Sequence, residues 1–309
     1  MSWSLSPYVS RSRASAAAEV TVDSISVAPP RTHELRVVAE RLAAALPPVV
    51  EEVVLTGSVS RGVADHLSDI EMLVVTTTRL DLAECFAHAR NAGLVSLDTW
   101  GVQGTEVSRV FGYYEDVPVE TIWWSRDFAE ASVAALLEGE ESTSAEALAN
   151  GIALRTVGLL EGWQGRLHVY PEALAAARIE QAAVAWGGFH PTGFLTLARP
   201  DERLALIEYL YHDAVRVLRI VYALNRVWQP TSKRLADRIK SLPIKPERLA
   251  ERIDEALTEP DPLRAMLVMT ELQVDTADLA PQGPNVDRAR KWLREVADVL
   301  RNAIDSRAA

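Results

Sequence analysis

The stretch Leu55-Thr56-Gly57-Ser58-Val59-Ser60-Arg61-Gly62-Val63-Ala64-Asp65-His66-Leu67-Ser68-Asp69-Ile70-Glu71-Met72-Leu73 decides how the first half of the chain folds. An apolar run, Val53-Val54-Leu55, ends in a Gly-Ser turn, and Asp-x-Glu follows at the start of a second apolar run. Short apolar runs bounded by turn residues read as buried strands. Asp69 stands at the threshold of the second strand and Glu71 within it. Being two apart, both side chains leave the same face. Adjacent carboxylates repel unless water or a cation lies between them, and the hard, oxygen-seeking Mg²⁺ suits such a pair. The Gly57-Ser58 turn offers backbone N–H groups and a hydroxyl to phosphate oxygens.

Outward from this stretch, the first half alternates helix and strand. Leu35, Val38, Leu42 and Ala45 recur at helical spacing before Pro47-Pro48. Leu80 to Ala92 reads as a helix closed by Gly93. Leu94–Thr99, Glu106–Tyr113 and Val117–Trp124 read as strands, and Pro118 makes the last an edge strand or one paired on a single side there. From Asp127 to Ile304 the periodicity is helical. A capping-box pattern at Thr143-Ser144-Ala145-Glu146 opens a helix towards Leu160. Pro171 opens a helix through Ala185, Asp201–Asn225 is long and amphipathic, and the last helix covers about Val286 to Ile304. The expected class is α+β: a mixed sheet with helices on one side, then an all-helical second domain. The expected units are an N-terminal arm (1–30), a catalytic domain (31–130) and a helical domain (131–309) that contributes to nucleotide and acceptor binding.

The Gly-Ser turn, the spacer and Asp-x-Glu between apolar residues resemble the signature of the DNA polymerase β nucleotidyltransferase superfamily. The likeness is nearest to its small-molecule branch, which holds the kanamycin, streptomycin and lincosamide nucleotidyltransferases. Asp-x-Glu alone would suit a solvated strand end far better than a metal site. Gly57-Ser58, Arg61-Gly62 and Ser68 in register with it set it apart, and Glu71 in place of the commoner second Asp has a counterpart in the kanamycin enzyme. The resemblance implies a pair of Mg²⁺ ions held by Asp69 and Glu71, with a third carboxylate on a neighbouring strand. Glu120, in Val117-Pro118-Val119-Glu120-Thr121-Ile122-Trp123, matches that place, as a metal ligand or as the base that takes the acceptor proton. Gly57, Ser58 and Arg61 are the expected phosphate contacts at the turn, Arg61 through its planar fork. Lys233 matches a helical-domain lysine reached through Asn225-x-x-x-x-Pro230-x-x-Lys233, which contacts nucleotide phosphates. The implied reaction moves AMP from ATP to a hydroxyl of a small molecule, such as an aminoglycoside or lincosamide, and releases pyrophosphate. The alternatives are transfer to a protein or tRNA, and a silent antitoxin or binding relative.

Composition narrows the classes further. A chain of 309 residues, 48% apolar, is long enough for two domains. No window reaches the roughly 18 apolar residues of a membrane span, and the first residues carry no apolar signal core, so a cytoplasmic address is expected. The net charge of −11 argues against nucleic acid as a partner and suits a cationic acceptor. Cys85 is the sole cysteine, which excludes an intramolecular disulfide and a cysteine zinc site; its setting predicts a buried, inert thiol. Asp65 and His66 read as turn residues, His190 as part of a loop, His212 as a core or interface histidine, and most of the 8 Trp as packing residues. Oligomeric state stays open; related antibiotic enzymes can share sites across a homodimer.

Overall fold

The computed structural model describes residues 30–99, 106–140, 144–187, 199 and 202–308. The expected arm up to residue 29, Trp100, Thr143 of the capping-box pattern and His190 lie outside them, and Pro30 belongs to the first helix. A helix α1 (Pro30–Ala45) precedes β1 (Val50–Thr56), the single turn α2 (Gly57–Ser60) and β2 (Ile70–Thr76). Then come α3 (Leu82–Asn91), β3 (Val95–Asp98), β4 (Ser108–Tyr114), β5 (Val117–Ser125) and α4 (Arg126–Glu138). The chain continues through α5 (Ser144–Ala149), β6 (Ile152–Arg155), α6 (Leu159–Leu167) and α7 (Glu172–Val184). The remaining described helices are α8 (Arg203–Leu224), α9 (Leu235–Lys240), α10 (Leu249–Thr258), α11 (Pro262–Leu279) and α12 (Pro284–Ala308).

The six strands form one sheet in the order β3-β4-β5-β2-β1-β6. Only the central β2–β5 pair is parallel, so the sheet is mixed and the class α+β. β5 is an interior strand, not an edge. Its Pro118 falls where pairing is one-sided: it faces Tyr113 of β4, while the ladder to β2 begins at Val119. A missing N–H costs nothing there.

Helices cover both faces of the sheet, not the one side expected. α1 and α3 pack against Val53, Leu55, Ile70, Met72 and Val74. On the other face, Val54, Leu73, Val75 and Trp124 meet α4, α5, α6 and the start of α7. Central strands with near-continuous Val, Ile and Leu need cover on both sides. The third apolar cluster is built by α7 through α12.

The helix expected from Thr143 towards Leu160 is broken in the structure. α5 stops at Ala149, and Ile152–Arg155 becomes β6, antiparallel to β1. Gly151 allows the join, because a Cβ there would stand 2.4 Å from Val54 Cγ1. The gain is strand pairing on an otherwise open β1 edge, which outweighs helix propensity. The second half of the chain is therefore not all-helical, and β6 lies outside the range 31–130.

Glu52 of β1 shows how the two halves are joined. Fully buried, its Oε2 accepts from Thr156 Oγ1 (3.0 Å) and from the amides of Val157 (3.1 Å) and Leu159 (3.2 Å), at the start of α6. A carboxylate at a helix start satisfies donors that lack intrahelical partners and opposes the positive end of the helix dipole.

Candidate active site

Gly57 is the hinge of the site. Its φ of +70° is a left-handed conformation that side chains disfavour, and a Cβ there would lie 1.7 Å from Glu71 Oε2. Glycine at this position thus lets the Glu71 carboxylate lie directly over the turn. Pairing across β1 and β2 sets the approach: Thr56 faces Glu71, and Thr56 Oγ1 donates to the Glu71 carbonyl at 3.2 Å. Arg61 Nε and Ser60 Oγ donate to the Gly57 carbonyl at 3.0 and 3.1 Å, closing the turn.

The parallel register places Glu71 of β2 opposite Glu120 of β5. Asp69, two residues before Glu71, precedes the same strand. Gly57, Ser58, Arg61, Asp69, Glu71, Glu120 and Lys233 all line one cavity of about 400 Å³. The two other glutamates near the third-carboxylate position are elsewhere: Glu106 pairs with Arg79, and Glu115 is a turn residue with φ +53°.

Burial, together with the negative Asp69 carboxylate, raises the Glu71 carboxyl above the ordinary range, with Lys233 opposing. Glu120, 9% exposed, is raised by burial despite Arg109. Its Oε1 accepts from Arg109 Nη1 at 3.0 Å. Arg61 is lowered by burial and by Arg238. In all three groups burial disfavours the charged form, up for the carboxyls and down for the guanidinium.

Five carboxylates (Asp65, Asp69, Glu71, Glu120, Glu146) and five cations (Arg61, Arg109, Lys233, Arg234, Arg238) line the cavity. Arg109 takes Glu120, Arg234 takes Asp65, and Glu146 is shared by Arg238 (2.9 Å) and Arg61 (3.7 Å). Among the described residues, Asp69, Glu71 and Lys233 are the charged lining groups outside these ion pairs. The donor chemistry of Asp69 and Glu71, hard oxygens in no ion pair among the described residues, fits Mg²⁺. As the side chains stand, no three His, Cys, Asp or Glu residues among those described cluster as a metal site, and Glu120 is held by Arg109.

No known protein-family profile and no curated protein matches the chain. Among solved structures it is similar to a nucleotidyltransferase-like protein from Exiguobacterium sibiricum. The two are 12% identical, the alignment covers 88% of this chain and 75% of that one, and the TM-score is 0.36. No described helix is long and apolar enough to cross a membrane.

Four charged lining residues, Arg109, Glu146, Arg234 and Arg238, are not among the site residues expected from the sequence. Arg234 and Arg238 had a signal, since Lys233-Arg234-x-x-x-Arg238 puts cations one helical turn apart beside the lysine already marked. Arg109 and Glu146 had none, because their roles depend on strand register and on α5 docking beside Arg61. Asn225 is structural: its side chain donates to the Val221 and Ile244 carbonyls at 2.7 Å each. His212 is exposed beside Glu208, not in a core. Cys85 is fully buried, and burial pushes its thiol up to about 11. Trp123, Trp124, Trp163, Trp186 and Trp228 are buried packing residues.

Proposed function

We propose that this chain is a nucleotidyltransferase that moves a nucleoside monophosphate, AMP from ATP, onto a hydroxyl of a small molecule. The observation that carries the reading is the set of charges left over in the cavity. The Glu71 carboxylate lies over the Gly57 turn, and Asp69, just ahead of β2, lines the same cavity with Lys233 and four arginines. An acid pair takes a divalent cation, and a turn with cations takes polyphosphate.

Mg²⁺ held by Asp69 and Glu71 would neutralise triphosphate charge and polarise the α-phosphate. Ser58, Arg61 and Lys233 hold the outer phosphates. The acceptor hydroxyl oxygen forms a bond to the α-phosphorus as the bond to the bridging oxygen breaks, and pyrophosphate departs. Glu120 takes the acceptor proton; burial raises its affinity for that proton, and Arg109 fixes its orientation. This reading makes Glu120 the base in preference to a third metal ligand.

The acceptor reading favours a cationic antibiotic of the aminoglycoside or lincosamide kind, because the molecule is acidic overall. A panel of labelled nucleotides with Mg²⁺ and aminoglycosides, lincosamides, tRNA or lysate, read by mass gain of the acceptor, tests it. Labelling of a small molecule supports the reading; labelling of tRNA or protein alone replaces the acceptor class. The Arg109–Glu120 ion pair favours one rival, a nucleotide-binding protein without turnover. Mg²⁺-dependent ATP binding with no label transferred to any acceptor would select it.

A further inference from the structure

The loop between the Gly-Ser turn and Asp69 is gripped from the other half of the chain. Arg234 donates to the Val63 carbonyl, to Asp65 Oδ2 at 2.6 Å and to Ser68 Oγ at 3.4 Å. Within the loop, Asp65 Oδ1 accepts from the Leu67 amide and from Ser68 Oγ, both at 3.0 Å, and the Asp65 amide donates to Ser68 Oγ at 2.9 Å. Ser68 is buried and adjoins Asp69 directly. One guanidinium thus fastens three loop groups that end at the carboxylate. Arg234 does so from a left-handed backbone, φ +56°, which an L residue holds only when its surroundings fix it. The next residue back, Lys233, lines the same cavity.

We propose that Arg234 is a positioning residue for transfer: through Asp65 and Ser68 it sets where the Asp69 carboxylate stands. The ion pair is partly exposed, with side-chain exposures of 29% for Arg234 and 50% for Asp65, so its contribution is geometric more than energetic. A lysine would keep the charge but not the fork that meets several acceptors at once. The effect on rate rests on the nucleotidyl-transfer reading; the effect on the loop does not.

The test compares full-length wild type with Arg234→Ala, Arg234→Lys, Asp65→Asn and the double variant Arg234→Ala/Asp65→Asn. Amide exchange over residues 62–69 is measured by mass spectrometry, and turnover with ATP across a Mg²⁺ series. In Arg234→Ala, exchange across 62–69 rises and kcat falls by about 10- to 100-fold, the scale of a misplacement near 1 Å. The Mg²⁺ concentration for half-maximal rate increases and the nucleotide KM changes little. Arg234→Lys recovers part of the loss, and the double variant is no worse than Arg234→Ala. Unchanged exchange, additive defects or a defect confined to nucleotide KM would overturn the proposal. Asp65→Asn keeps size and shape, so it decides the matter even if Arg234→Ala folds poorly. A wild type without transfer would sink the proposed function, while the exchange comparison would still judge the clasp.

Discussion

At position 57 two constraints coincide: a left-handed backbone and a carboxylate oxygen where a Cβ would be. Gly57→Ala is therefore expected to cost about 1–3 kcal/mol, the range for a non-glycine residue forced into such a conformation. Urea unfolding measures it, and a loss within error of zero would mean the turn relaxes freely. Glu71 gives the reverse effect. Its raised affinity for a proton means the folded state binds more protons than the unfolded state above the ordinary carboxylate range. In the metal-free protein, stability therefore falls as pH rises through the window between that range and the raised folded value. Glu71→Gln should melt higher than wild type near neutral pH, with the difference vanishing at acid pH; equal melting temperatures at neutral pH would contradict this. That Gly57, Asp69 and Glu71 come together at one cavity is legible in the sequence, because a turn and the strand that follows it are local features. The Arg109–Glu120 pair is not, since it depends on which strands become neighbours.

Elements sort the same way. β1, β2, β5 and α8 stand close to where apolar runs and periodicity put them. β6 does not, because Ile152-Ala153-Leu154-Arg155 is strand only by virtue of an open β1 edge beside Gly151. Helices cover both faces of the sheet and not the one side expected, because strands that are apolar without interruption need cover on each side. Glu52 gave no such signal, yet it ties β1 to the first turn of α6. Glu52→Ala leaves a hydroxyl and two amides without their acceptor, and is expected to destabilise by about 1–3 kcal/mol. Amide exchange at Val157 and Leu159 should rise with it. Unaltered exchange there would show that α6 does not depend on this contact.

In the molecule as a whole, Trp228 anchors the segment that carries three of the cavity's five cations, Lys233, Arg234 and Arg238. It is buried in the core beneath the sheet, its indole N–H donates to the Leu167 carbonyl at 2.9 Å, and Tyr170 packs on it at 4.6 Å between centroids. Lys233 and Arg234 follow within a few residues. Trp228→Ala should cost about 3–5 kcal/mol and weaken nucleotide binding, whereas Trp228→Phe should keep more of both. A stable Trp228→Ala protein with unchanged nucleotide affinity would uncouple packing from site.

The central claim is that Asp69 and Glu71 together receive a divalent cation with a triphosphate above the Gly57 turn. Calorimetric titration of ATP into wild type, Asp69→Asn and Glu71→Gln, with Mg²⁺ and with EDTA, tests it without knowledge of the acceptor. Wild type should bind ATP tightly only with Mg²⁺, and each variant should lose that dependence. Equal affinity in Mg²⁺ and EDTA, or Mg²⁺-dependent binding that survives both substitutions, would contradict the account.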